Sequence, residues 1–448
     1  MIHMDPMLLT ILMLASFTAL VIVGYPVALS IGSVGLIASF FVWPPDVAIF
    51  MYFTRVWAQA NNYTMLAVPL FIFMGNLMEY SGMTEKLYDA LYVWMGGVKG
   101  GLALVTMTIG IVIGGPVGVV SAAVSMLAVV GMPAMVKKRY DKAFAAGVVA
   151  AGGTLGILIP PSVMFVVYGP MANISVGKLF FASVGPGFLL SFIYLGFILV
   201  KCWLEPHVGP TIPKDERTSL PLAKKTWMLV SALVAPTILT VAVLGVIFFG
   251  IAAPTEVAAL GATATALICI ANRRFTFAMV KYCTIETFKT SGFIFLLATM
   301  GFAFAGVFVA AGGTDVIAKA FTLVPGGRWG AFVAVMSVFF LLGFALDWLA
   351  MVYIMVPTVT VLADILGFDP LWFAMMICIN FQMEFITPPF AMAIFVVKGS
   401  TPKELDVTMS DCIRGIWPYC FLVIVGLLLC IAFPEIILWL PNHMITIK

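Results

Sequence analysis

The apolar residues of this chain fall in long blocks, many of them about 18 residues or more, which is enough to cross the roughly 30 Å hydrocarbon core of a bilayer as a helix. Such blocks run approximately over 7–24, 26–43, 63–80, 143–170, 179–204, 226–250, 253–272, 285–308, 371–397 and 415–440, or about ten crossings. The soluble alternative fails on composition. Apolar residues make up 63% of the 448 and charged residues 10%, where a soluble domain has roughly 45–50% and about 25%. Two further apolar stretches, 101–135 and 331–363, are interrupted by Gly114-Gly115-Pro116 and by Asp347, and read as hairpins that enter the membrane and return. The expected fold is therefore an all-α polytopic membrane protein, with the lipid bilayer as its first partner.

Several functions are excluded at this stage. The net charge is only +3 and the 23 Lys and Arg are scattered, so no basic stripe can follow a nucleic-acid backbone. The seven Cys lack a C-x-x-C pair, and His3, His207 and His443 are far apart, so neither a zinc knot nor an acid-base-nucleophile constellation is indicated. No catalytic or organic-cofactor residues are assigned. With no Lys or Arg before the first apolar run, that segment is expected to remain as a helix.

Cytoplasmic loops accumulate Lys and Arg. If KKRYDK (137–142) is inside, all 23 except Arg55, Lys178, Lys319, Arg328 and Lys448 are inside, both termini are outside, and Glu205 to Lys225 is a cytoplasmic linker. An internal repeat supports two halves around that linker. Gly82, Gly96, Gly97 and Gly100 recur as Gly312, Gly326, Gly327 and Gly330 at an offset of 230, and FVVYG (165–169) recurs as FVVKG (395–399). Pro160-Pro161 recurs as Pro388-Pro389 at 228. An odd number of crossings separates the copies, so they face opposite ways, the plan of many secondary transporters.

In each repeat a helix broken at its centre follows the hairpin: GGTLGILIPPS (152–162) and QMEFITPPF (382–390). Proline removes a donor and glycine tolerates unwinding, so carbonyls near Gly153, Thr154 and Gly156, and from Met383 through Glu384 to Thr387, are expected to be free for Na⁺. The competing reading is a proline kink made for packing. The 230-residue shift sets Asp347 opposite Val117, so the hairpin tips are equivalent too. Asp347 is a rare intramembrane carboxylate, either functional or a water-exposed cap. Glu384 is a ligand, a proton carrier or a packing residue. Lys and Arg are lacking between Gly100 and Val136 and between Gly330 and Val397. An anionic substrate would then be held by backbone amides at broken helix ends, by Ser121, Ser162 and Thr387, and by co-bound cations.

VPLFIFMGNLMEYSG (68–82), GTLGILIPPS (153–162), APTEVAALG (253–261), LDWLAMVYIMVP (346–357), GFDPLWFA (367–374) and ITPPFAMAIFVVKG (386–399) together resemble the large membrane subunit of tripartite ATP-independent periplasmic (TRAP) transporters. The likeness spans nearly the entire chain. The Asp-Trp tip and GFDPLWFA look most like the branch associated with keto acids, mannitol or chloroaromatic acids. The resemblance implies an inverted-repeat elevator transporter of the ion-transporter superfamily, in the inner membrane. It also implies Na⁺-driven uptake of an organic acid anion, a small membrane subunit, and a periplasmic substrate-binding protein. Carried over by motif, one Na⁺ site comprises Gly114, Gly115, Val117, Gly118, Gly153, Thr154 and Gly156, and the other Gly343, Asp347, Met383, Glu384 and Thr387. Ser121, Ser162, Trp348 and Thr387 face substrate. Many members carry a Ser-Gly-Ser-like turn at the first tip where this chain reads GGPVGVVS (114–121), so the ligands there are assigned as backbone. On this reading the chain divides into scaffold helices (1–80), a first repeat (81–170), a helix and linker (171–225), second-half scaffold helices (226–310), a second repeat (311–400) and a C-terminal helix (401–448). A stand-alone organic anion/Na⁺ symporter of the same superfamily would show the same repeat and hairpins.

Overall fold

In hydrocarbon no water is available to the backbone, so each apolar block must close its own hydrogen bonds. Accordingly, every regular element among the described residues is helical. The structure, a computed structural model, describes residues 4–212, 220–344, 346–388 and 391–444. Pro389, Lys448 and part of the 205–225 linker lie outside the described residues. Seven helices are individually long and apolar enough to span a membrane, or up to eight if the bent pair Tyr63–Tyr80 and Met83–Met95 counts as one span. The remaining expected crossings are built from shorter helices.

The scaffold is organised by Phe277–Ala310, a 34-residue helix about 50 Å long at 1.5 Å per residue. It contains the expected 285–308 span and packs against Val27–Val42, Pro45–Ala60 and Ala67–Tyr80. Pro45–Ala60 was not among the expected spans. Its start is marked by Pro44, Pro45 and Asp46, and it is fixed to Val27–Val42 by the Tyr52 hydroxyl, which donates to the Gly32 carbonyl at 2.7 Å. Leu222–Phe248 and Pro254–Ala271 expose aliphatic side chains such as Ile238, Val241, Leu260 and Leu267.

The two hairpins are Gly101–Val117 with Val120–Lys137, and Gly327–Leu342 with Trp348–Ile365. The broken helices are Lys142–Leu155 with Val163–Ala172, and Pro370–Ile386 with Met392–Ser400. The two halves share local features. Gly82 and Gly312 both adopt the left-handed conformation (φ 75° and 81°) before a short arm helix, Met83–Met95 and Gly313–Thr322. Asp141 and Asp369 both cap a broken helix, accepting from Phe144 N at 2.7 Å and Trp372 N at 2.9 Å.

The offset is 230 at the arms but 228 at the Asp caps and at the second hairpin helices, whose preceding residues are Val119 and Asp347. Asp347 therefore stands opposite Val119, not Val117, because the second copy is two residues shorter between arm and tip. The expected 415–440 span is also corrected. It is two helices, Met409–Ala432 and Glu435–Asn442, parted at Phe433-Pro434. The first of these lies backbone to backbone on the first broken helix, where a Cβ on Gly147 or Gly415 would strike the other strand of the contact.

Candidate functional site

The first hairpin seats on the first broken helix through glycines. A Cβ on Gly110 would lie 2.5 Å from the Gly152 carbonyl, and one on Gly156 would lie 2.5 Å from the Gly114 carbonyl. Gly115 rests on the Ile159 and Pro160 carbonyls. Gly118, at φ 65°, ends the first hairpin helix and returns its N–H to the Gly114 carbonyl at 3.0 Å. Of the proposed first Na⁺ set, then, Gly114, Gly115, Gly118 and Gly156 are brought together. Val117 is not, because its carbonyl fills the space left by Gly75 on the scaffold helix Ala67–Tyr80. Gly153 faces Val124, further along the hairpin. Thr154 is turned inward: its hydroxyl donates to the Ala151 carbonyl at 3.0 Å. The break itself begins later than the sequence suggested, since the Thr154 and Leu155 carbonyls accept from Ile157 (3.4 Å), Leu158 (3.0 Å) and Ile159 (3.1 Å).

In the second half, Gly343 packs on the methylenes of Glu384 at 2.9 Å from a Cβ position. The Glu384 carboxylate lies near Asp347 and the Trp348 amide, and its Oε2 is buried without a partner. Asp347 caps Trp348–Ile365, its Oδ2 accepting from Leu349 N at 3.2 Å. Gly343, Asp347 and Glu384 are thus assembled. Met383 and Thr387 are engaged elsewhere: the Met383 carbonyl accepts from Thr387 N at 2.8 Å, and the Thr387 hydroxyl turns to Cys420 Sγ at 3.6 Å, toward the helix Met409–Ala432.

Both tips, both breaks and the scaffold meet around a cavity of about 140 Å³. Val120, Val163, Trp348 and Met392 all line it, and each is the first residue of a helix. Four helix N-termini therefore converge on one space. Ser162 and Asp347 cap two of them, whereas the helices starting at Val120 and Met392 have no side-chain cap. Of the expected substrate residues, Ser121 and Trp348 line the cavity. Ser162 serves as a cap, accepting from Met164 N at 3.3 Å. Scaffold residues Thr290, Phe293 and Ile294 complete the wall. Nothing in the sequence of that helix had singled them out.

Val119, Ser121 and Thr290 are shared with a second, more polar space of about 370 Å³ lined by Asn76, Glu79, Ser125, Tyr282, Glu286 and Ser400. It forms a vestibule to the cavity. Asn76 is held there by a 3.0 Å bond to the Thr287 hydroxyl, and Ser125 and Ser400 join the two repeats at 2.9 Å.

A family model described as "Tripartite ATP-independent periplasmic transporter, DctM component" matches residues 14–436. The chain belongs to this TRAP family. It is a multi-pass inner-membrane transport protein, and its relatives are named as permeases rather than enzymes. It is 30% identical over 391 residues to the C4-dicarboxylate TRAP transporter large permease protein DctM of Pseudomonas aeruginosa, covering 87% of this chain and 88% of that one. It is 28% identical to the isethionate TRAP transporter permease protein DctMQ of Oleidesulfovibrio alaskensis over 87% of this chain, and spans 60% of that protein's length. The 2,3-diketo-L-gulonate large permease YiaN of Escherichia coli is 25% identical over 93% of this chain and 95% of its own. Similar identities to relatives named for such different substrates favour no branch. Among solved structures, the Alcanivorax borkumensis YdaH transporter shares the fold with a TM-score of 0.64 at 14% identity, covering 86% of this chain and 89% of that one.

Proposed function

We propose that this TRAP large subunit carries out Na⁺-coupled uptake of an organic acid anion, a carboxylate or sulfonate. The anion would be delivered by a periplasmic binding protein, with a small membrane subunit beside the scaffold. The observation that carries the reading is the convergence of four helix N-termini on a cavity lined by no Lys or Arg. Each N-terminus presents unbonded amides and about half a positive charge, so the arrangement suits an anion. The two uncapped ends, at Val120 and Met392, have amides to spare. Relatives named for C4-dicarboxylates, isethionate and sialic acid agree with that chemistry.

Na⁺ fits the donor set at each tip. Near Asp347, the partnerless buried Oε2 of Glu384 asks for a cation. At Gly114 and Gly156 the side-chain-free contact brings the Gly114 carbonyl, a hard oxygen with one lone pair still free beside its bond from Gly118 N, against the broken helix. An aliphatic groove of about 400 Å³ between Leu222–Phe248 and Pro254–Ala271 is where the scaffold has apolar surface to offer the small subunit. In the elevator step the hairpins and broken helices would move against Phe277–Ala310. The vestibule lies at the Arg273-Arg274 end of that helix, which the positive-inside count assigns to the cytoplasm, so this conformation is inward-facing.

The test is uptake of labelled C4-dicarboxylate, isethionate and sialic acid into vesicles holding the complete assembly. A Na⁺ gradient should drive uptake of one of these without ATP. Full uptake driven only by a proton gradient in Na⁺-free buffer would sink the proposal, and uptake without a binding protein would favour the stand-alone symporter.

A further inference from the structure

Phe277–Ala310 serves as a ruler across the molecule. Glu286 borders the vestibule and Ile294 the cavity. On the far side, Gly301 receives the Tyr353 ring, whose Cβ and Cγ stand 2.5 and 2.6 Å from a Cβ position there. Tyr353 also faces Gln59. At about 1.5 Å per residue, this Tyr353-on-Gly301 seal is roughly 10 Å beyond the cavity. Gly306 lies roughly 18 Å beyond it, and there the Arg55 guanidinium lies flat on the glycine in space that any side chain would occupy.

Arg55 has no evident structural reason to be there. Its Nε is buried without a hydrogen-bond partner, and none of the ion pairs among the described residues includes it. Burying a polar nitrogen without a partner costs free energy that packing alone does not return. Nor is Arg55 simply reaching for the interface, because Gly306 holds its head group against the scaffold. Gln59, four residues on, shares its helix face, and its buried amide and the buried Tyr353 hydroxyl face each other with no other partner. A half-buried guanidinium whose Nε lacks a partner, an amide and a phenol are therefore gathered along the scaffold on the side of the cavity away from the vestibule.

We infer that Arg55, with Gln59, is an anion-receiving station on that side. When Tyr353 leaves Gly301, the seal opens and Arg55 meets the carboxylate or sulfonate before the helix N-termini do. The planar guanidinium matches such groups with two parallel N–H donors. The inference rests on the organic-anion reading of the cavity, and its test needs no knowledge of the substrate. Gln59→Cys, and separately Tyr353→Cys, would be placed in the complete transporter. The seven native cysteines are buried and supply the blank. Rates of modification from the Arg55 side, with the transporter in vesicles under an imposed Na⁺ gradient, would be compared for two methanethiosulfonates, one bearing a sulfonate and one a quaternary ammonium.

The expected result is that Arg55→Gln lowers the anionic-to-cationic rate ratio about fivefold or more, and that Arg55→Lys restores most of it. An unchanged ratio overturns the inference. So does failure of both reporters to react from that side, since the seal would then not open onto Arg55. Either reporter suffices if the other variant does not fold. A charge bias without Na⁺-dependent uptake of any organic acid would overturn the function proposed above and leave the station standing.

Discussion

Replacing Gly156 by Ala tests whether the seat between hairpin and broken helix is what makes the proposed first cation site. A Cβ at 156 would be 2.5 Å from the carbonyl C and O of Gly114 and 2.6 Å from its Cα, all backbone atoms. No flexible side chain is there to swing away. Ordinary contact begins at 3.4 Å, so the tip must withdraw by 3.4 − 2.5, about 0.9 Å, or the break must distort. Overpacking of this kind costs about 1–3 kcal/mol. If Na⁺ binding requires the seated tip, that cost appears as a rise of about five- to 150-fold in the Na⁺ needed for half-maximal uptake. Gly245→Ala is the matched control: it lies within the helix Leu222–Phe248 with nothing within 4 Å, and Ala there should be neutral or stabilise by about 0.5–1 kcal/mol. Uptake into vesicles at matched protein content, with thermal unfolding in detergent, reads both. A Gly156→Ala curve superimposable on wild type would refute the reasoning, because the contact would then carry neither fold nor cation.

Three further outcomes are expected. Asp347→Asn keeps the 3.2 Å bond from Leu349 N and so the fold, but loses a charge-assisted contact of roughly 1.5–3 kcal/mol; the half-saturating Na⁺ should rise about ten- to a hundredfold, and a shift under about threefold would remove Asp347 from the site. Thr387→Val should leave the substrate KM of uptake unchanged, because the Thr387 hydroxyl is turned to Cys420 Sγ at 3.6 Å; a clear KM increase would return that hydroxyl to the substrate. A disulfide between Ser125→Cys and Ser400→Cys, whose hydroxyls now sit 2.9 Å apart, should be tolerated by transport, whereas one between Gly301→Cys and Tyr353→Cys should arrest it. Arrest by the first cross-link would show that the two repeats do not travel as one body.

What the sequence made legible and what it hid divide along a physical line. Periodic and punctuating signals survived: apolar blocks, the glycines at 82 and 312, and the prolines that break the paired helices; the Asp caps at 141 and 369 are the same kind of local signal but went unread. Each acts locally, through φ, a missing donor or a cap. The sequence did not show which carbonyl is free, because that depends on one hydrogen bond more or less at a helix end. Thr154 and Met383 looked available and are engaged by Ile157 and Thr387. Ile294 was equally hidden, since a residue facing the cavity and one facing lipid are both apolar there, and Thr290 is one of several threonines in the helix Phe277–Ala310. Arg55 was counted only as an exception to the positive-inside bias, and its place on Gly306 is a tertiary fact.

The same geometry suggests why cation and anion should bind together. Four helix N-termini bring about half a positive charge each, roughly +2 in total, to a cavity with Asp347 in its wall and Glu384 beside Asp347. If both carboxylates are ionised, the fixed charges nearly cancel. A carboxylate or sulfonate entering alone would leave the site negative inside a low-dielectric wall, where the cost of net charge is steep. Na⁺ entering alone would leave it positive. Each ion therefore lowers the cost of the other, and by linkage the effect is reciprocal: substrate should raise Na⁺ affinity by the same factor by which Na⁺ raises substrate affinity. Coupling of this kind needs no direct contact between the two ions, because the tips at Gly118 and Asp347 border the one cavity that both must balance.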